Sequence, residues 1–225
     1  MAAKIDKKEL IEPDKMQLFF ERVRMFAERN KKRIYAGAGL FLLIALIAGG
    51  WSLYRFNYET TAGNIYAKVF EISTKSSSPK ADEEAIKGYE DLTARYPRSR
   101  MAIIAYYRLG NLYFSRQEVD KSISAYQAFL NKTEEASDLV TLAYNGLGSC
   151  YELKKDLNKA LDSYEKAIKT KTGLLFESLT YRNVARVYEA MNNPVKASEY
   201  YRKALEKTKD PLMMLFLKRK ISLLG

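Results

Sequence analysis

Few side chains in this sequence are suited to covalent chemistry. There is no histidine in 225 residues, which removes the usual general base at neutral pH, the commonest metal ligand and every Ser–His or Cys–His nucleophile pair. Cys150 is the only cysteine, so there is no internal disulfide, no CxxC redox pair and no thiolate cluster for a metal. Its neighbours Ser149 and Tyr151 bring no cation to stabilise a thiolate, and it reads as a small core residue. Two kinds of charged residue remain. Glu152 and Glu189 occupy equivalent places in a recurring pattern and could be taken for paired acids, but no nucleophile accompanies them. Arg182 and Arg186 lie one helical turn apart and could hold a carboxylate between them. The chemistry predicted is non-covalent recognition, with no catalytic residue, no metal and no cofactor.

Recognition residues need a scaffold, and the composition supplies one. The chain is 47% hydrophobic and 29% charged, enough apolar material for a packed core and far from a disordered composition. The net charge of +11 is spread out: Met1–Arg33 contributes +4, Arg55 +1 and Phe56–Gly225 +6. Basic and acidic residues are interspersed through the C-terminal part, as on a solvated helical surface, without the basic run and interleaved aromatics of a nucleic-acid site. No nucleic-acid partner is predicted.

Ile34–Tyr54, IYAGAGLFLLIALIAGGWSLY, runs without a charge from end to end. At about 1.5 Å rise per residue a helix of that length crosses roughly 30 Å of hydrocarbon. Tyr35 stands near one end, Trp51 and Tyr54 near the other, where amphipathic rings favour the headgroup interface. A buried helix of a soluble protein would show a polar stripe, and this one has none. A cleavable signal is a poor fit, because the apolar stretch is long and the whole of Met1–Arg33 precedes it. Lys15, Arg22, Arg24, Arg29, Lys31, Lys32 and Arg33 lead into the span, whereas Arg55, Lys68 and Lys75 are the cations over an equal length after it. This bias predicts an uncleaved anchor with residues 1–33 cytoplasmic, 34–54 crossing the membrane and 55–225 outside, in the periplasm of a two-membrane bacterium. Within 1–33, Met16, Phe19, Phe20, Val23, Phe26 and Ala27 recur at helical spacing after Asp14, whose partner Gln17 completes a capping box. Such an amphipathic helix either lies on anionic lipid or a membrane partner, or simply leads into the span.

The C-terminal part repeats itself. Tyr106, Leu109, Gly110, Tyr113, Ser122, Tyr126 and Phe129 share their offsets with Tyr144, Leu147, Gly148, Tyr151, Ala160, Tyr164 and Ala167. Tyr181, Val184, Ala185, Tyr188, Ala197, Tyr201 and Ala204 form a third copy, and the copies start 38 and then 37 residues apart. Periods of this length mark stacked supersecondary units. The spacing resembles the tetratricopeptide repeat (TPR), an antiparallel helix pair with small and aromatic residues at these offsets and a period of about 34 residues. The resemblance implies an all-α fold, a transmembrane helix followed by a solenoid of helix pairs. Its repeats are expected at about 103–136, 141–174 and 178–211, after a degenerate copy at about 57–99 marked by Ala85, Tyr89, Leu92 and Pro97. A closing helix is expected at 211–224. Gly148 and Ala160 are expected where two helices approach closely, with Tyr151 and Tyr164 filling the space beside them. The extra turn of chain in each copy predicts longer first helices, opened by Ser99, Ser137 and Thr172 as N-caps. The closing helix is apolar all round from Leu212 to Leu217, so it either caps the stack or also accepts a second subunit or partner.

By the same resemblance, partners bind a concave groove lined by the first helices. Carried over, the groove positions are Ile104, Tyr107, Asn111 and Phe114; Leu142, Asn145, Ser149 and Glu152; and Leu179, Arg182, Arg186 and Glu189. Tyr107 and Phe114 are expected as exposed aromatics with a binding role, and Asn111 and Asn145 as groups able to bond a peptide backbone but mainly solvated. Of the set by which some TPR domains grip a chaperone's C-terminal carboxylate, only Asn111 and the Arg182/Arg186 pair are similar, and no such clamp is predicted.

The whole arrangement of basic segment, single span and outer TPR stack also resembles the family of single-pass ancillary subunits of the bacterial Sec translocon. That resemblance implies an adaptor whose partners are translocon subunits, periplasmic chaperones or unfolded secretory chains. An oligomeric envelope scaffold that organises other membrane proteins is the alternative.

Overall fold

The computed structural model describes residues 15–75, 78–133, 137–170 and 176–224. The expected caps Asp14 and Thr172 lie outside the described residues. All nine elements among those described are α-helices: α1 (Lys15–Lys75), α2 (Pro79–Arg95), α3 (Arg100–Ser115), α4 (Val119–Lys132), α5 (Asp138–Leu153), α6 (Leu157–Lys169), α7 (Glu177–Ala190), α8 (Pro194–Lys207) and α9 (Pro211–Leu224). The chain divides into two compact units, Met1–Phe56 and Asn57–Gly225.

The first unit holds most of α1. This helix is long and apolar enough to cross a membrane, and none of its most apolar 18 residues is buried. Its dihedrals leave the helical region at Asn30 (φ −113°, ψ 15°), where the side-chain amide donates to the Phe26 carbonyl at 3.0 Å.

In the second unit the end of α1 contributes Ala62 and Val69 to a core shared with α2 and α3. Helix starts are set by short polar side chains that accept from orphan backbone amides. Ser78 accepts from Ala81 N at 3.2 Å, Ser99 from Ala102 N at 3.0 Å, Asp156 from Lys159 N at 3.2 Å and Asn193 from Lys196 N at 3.1 Å. Ser137 occupies the N-cap of α5 without a side-chain capping bond. First helices α3 and α5 have 16 residues against 14 and 13 in α4 and α6, but α7 and α8 have 14 each. Residues 171–175, before α7, lie outside the described set.

Helices α3, α5 and α7 end the same way. Gln117, Lys155 and Asn192 adopt φ of 61°, 60° and 55°, and the following amides of Glu118, Asp156 and Asn193 reach back to the carbonyls of Tyr113, Tyr151 and Tyr188, each at 2.9 Å. This left-handed closure satisfies carbonyls that the helix end leaves free and turns the chain into the antiparallel partner.

Small residues then decide how close the helices come. A Cβ on Gly110 would fall 2.6 Å from the Tyr126 ring, and one on Gly148 would overlap the Tyr164 ring. At Gly148 the Tyr164 ring makes the close contact; Tyr151 packs against the clusters on either side, as expected, with Lys159 over its ring at 5.6 Å. Gly146 adds a contact that the repeat pattern does not mark: it faces Tyr126, so one fully packed ring lies between Gly110 of its own helix pair and Gly146 of the next. The core therefore passes through successive clusters along the stack, the last enclosing Leu217 and flanked by Met213, Ile221 and Leu224 of α9. Cys150 is fully buried, 3.2 Å from the Ser122 hydroxyl, and burial raises its thiol pKa.

Candidate protein-binding groove

Helix α3 packs on α5 and α5 on α7, with no comparable contact between α4 and α6 or α6 and α8. First helices therefore crowd together while second helices splay, which makes the first-helix face the concave one. Ile104, Asn111, Phe114, Leu142, Ser149, Glu152, Leu179, Arg182 and Glu189 are partly exposed on these helices, and Arg186 is exposed.

Two expected groove residues belong elsewhere. Tyr107 is 8% exposed, with its ring 6.1 Å from Tyr126 and 5.8 Å from Phe129; it is a core residue, so the exposed Tyr107/Phe114 pair does not form. Asn145 is buried at the contact between α5 and α7. Its amide donates to Thr180 Oγ1 and to the Thr141 carbonyl, each at 2.9 Å, and its Oδ1 accepts from Asn183 Nδ2 at 2.9 Å. Both donors of this amide are used, and burial between the helices keeps its oxygen from a ligand backbone. Sequence spacing misses Asn183 and Thr180 because they lie off the repeat register and face the neighbouring helix.

The charged residues form a ladder. Arg186 donates from Nε to Glu152 Oε2 at 2.8 Å and from Nη2 to Oε1 at 2.7 Å, a two-pronged bond from one helix pair to the one before it. The same carboxylate accepts from the Tyr164 hydroxyl. One step along, Glu189 accepts from the Tyr201 hydroxyl and from Lys220 Nζ of α9 at 2.8 and 3.0 Å. Lys220 lies 34 residues after Arg186, short of the 37-residue spacing of the last two copies, so its contact with Glu189 places α9 in the ladder as a first helix without a second. Burial and the neighbouring carboxylates push the Tyr164 and Tyr201 phenols up from their ordinary value. In the N-terminal pair the equivalent phenol, Tyr126, donates instead to Asn111 Oδ1 at 2.6 Å.

Arg182 is the exception. It is half-buried, donates to the Met213 sulfur at 3.5 Å, and has no carboxylate partner among the described residues. Desolvation and the nearby Arg186 charge lower its pKa. The expected Arg182/Arg186 clasp is thus divided: Arg186 already holds Glu152, and Arg182 is available. No group of three or more His, Cys, Asp or Glu side chains that could hold a metal is gathered among the described residues.

Residues 101–172 and 180–212 match the tetratricopeptide repeat in two separate family comparisons. Over those residues the helix pairs are similar to tetratricopeptide repeats. No curated protein matches the chain in overall sequence. Among solved structures, two crystal structures of MamA are similar. One has a TM-score of 0.58 at 20% identity, covering 72% of this chain and 81% of MamA; the other has 0.55 at 21%, covering 64% and 77%. The N-terminal domain of stress-induced protein-1 from C. elegans gives 0.46 at 18%, over 53% of this chain and 94% of that one. The MamA likeness bears on the fold, and it covers more of the chain than the matched TPR segments do.

Proposed function

We propose that this chain is a membrane-anchored TPR adaptor whose groove takes a partner segment by its carboxylate. One observation carries the reading. Every other cation described above on the groove ladder meets a carboxylate, whereas Arg182 is partly desolvated and meets only a thioether. A desolvated guanidinium without a counter-charge is unfavourable, and a ligand carboxylate would compensate it with a charge-assisted bond. Ile104, Phe114, Leu142 and Leu179 supply apolar surface along the same helices. The helix of the first unit would anchor the adaptor in a bacterial inner membrane, N-terminus in the cytoplasm and repeats in the periplasm. Translocon subunits, periplasmic chaperones or emerging secretory chains are the partners this placement favours. Affinity purification from gently solubilised membranes, with wild type beside Arg182→Ala and Arg182→Lys, tests it. Co-purified partners should fall about tenfold or more for the alanine variant and partly return for lysine; equal recovery from all three sinks the reading.

A second reading, an oligomeric envelope scaffold, has its own observation. On α9, Leu212, Leu215, Phe216 and Leu223 are 79, 68, 43 and 72% exposed. Sedimentation of the purified protein separates the two: a stable oligomer dispersed by Leu215→Lys favours the scaffold, and a monomer at high concentration removes it.

A further inference from the structure

The N-terminal stretch of α1 sorts most of its side chains by type around the helix, with Leu18 and Met25, 36 and 62% exposed, the apolar residues left on the acidic side. At 3.6 residues per turn, Phe19, Phe20, Val23 and Phe26 fall on one face, and they are 60, 62, 48 and 65% exposed. Lys15, Arg22 and Arg29 follow at seven-residue intervals along one edge of that face, and Arg24 stands on the other. Glu21 and Glu28, also seven apart, lie on the opposite side. Glu28 there takes a 3.1 Å ion pair from Arg24, both side chains being well exposed.

This arrangement discriminates between surfaces. A helix docked in a protein groove needs only one apolar stripe, with charges placed by its partner. A helix lying in a lipid interface needs its cations on both borders of the apolar face, at headgroup depth, and its acids turned to water. The second pattern is the one present. The break at Asn30 (φ −113°, ψ 15°) falls between this stretch and the apolar span, and Lys31, Lys32 and Arg33 follow it immediately. The kink at Asn30 thus separates this stretch from the apolar span.

We propose that Lys15–Arg29 is an interfacial helix that lies on an anionic lipid leaflet, with the phenylalanines among the acyl chains and Lys15, Arg22, Arg24 and Arg29 at the phosphates. The proposal rests on the reading of residues 34–54 as a membrane span, and it adds a second, electrostatic attachment that zwitterionic lipid would not satisfy.

The test uses the full chain in lipid nanodiscs, with one fluorophore each at Phe20→Cys, Glu21→Cys or Leu43→Cys; native Cys150 is fully buried and stays unlabelled. Brominated acyl chains are the quencher. In discs containing phosphatidylglycerol the labels at 20 and 43 should be quenched and the label at 21 should not. In phosphatidylcholine alone, or in a triple Arg22→Glu, Arg24→Glu, Arg29→Glu variant, quenching at 20 should be lost while that at 43 persists. Equal, weak quenching at 20 and 21 in anionic discs overturns the interfacial helix and leaves the span intact. Shielding at 20 that appears only when membrane proteins are added overturns it in favour of a protein partner. An unquenched label at 43 overturns the span, and the interfacial helix with it.

Discussion

Among single residues, three glycines in this fold are distinguished by what lies against them. Gly148 and Gly146 face the Tyr164 and Tyr126 rings, which are 0% and 2% exposed. Alanine is the better helix former by about 1 kcal/mol, but overpacking a buried ring costs roughly 1–3 kcal/mol. Gly148→Ala and Gly146→Ala should therefore lower the denaturant midpoint. Gly63, on the part of α1 within the second unit, has nothing within 4 Å of the place a methyl group would take, so Gly63→Ala should stabilise the unit by up to about 1 kcal/mol and raise the midpoint. Opposite signs for one chemical change would identify packing as the cause, and three equal shifts would refute it. The importance of Gly148 is readable from its repeat position. That of Gly146 is not, because its contact is with the preceding helix pair.

Among the helices, each first helix of the three pairs from α3 onward is closed by a residue other than glycine in the left-handed region. Lys155 adopts φ 60° there, and no hydrogen bond or ion pair of its side chain is among those found for the described residues. An L residue loses roughly 1–2 kcal/mol in that conformation, which exceeds glycine's roughly 0.5–1 kcal/mol entropic cost. Lys155→Gly should stabilise the second unit by about 0.5–1 kcal/mol, read as a higher denaturant midpoint at unchanged slope. A lower midpoint would mean that the lysine does something the geometry does not show. The charge ladder belongs to these helices too. Glu152, Glu189 and Arg186 are legible as recurring positions, but their pairing across helix pairs depends on how those pairs stack. Lys220 belongs to no recognised copy, and its packed position alone assigns it to the ladder.

Across the repeat unit, stacked pairs share one run of buried tyrosines. Burial raises the pKa of the Tyr126, Tyr164 and Tyr201 phenols, whereas in the unfolded chain each titrates near pH 10. The folded state therefore holds these protons more tightly. Their contribution is complete below about pH 10 and is lost as pH rises through the higher folded values. Stability should begin to fall as pH passes the unfolded value of the buried Cys150 thiol, about 8.5, and fall steeply above about pH 10 as the phenols follow, with a late step of tyrosinate absorbance coinciding with loss of helical circular dichroism. If all 17 tyrosines ionise in one step near pH 10 while the helices persist, the phenols are not buried as described. Because each pair buries its neighbour's face, loss of one contact should weaken the adjoining pairs most.

The order of the amino acids is enough to establish the helix-pair period, the small and aromatic positions within it, the lone apolar span and the absence of histidine chemistry. These are local properties, written in spacing and composition, and the helical fold follows them. Access to the groove positions came from packing instead. Tyr107 turned into the core, Asn145 was taken up between α5 and α7, and Arg186 was paired with Glu152, leaving Arg182 uncompensated. A side chain's availability depends on the neighbouring helix pair, whose rotation and distance are set by how the two surfaces interlock and not by the residue's place in its own repeat.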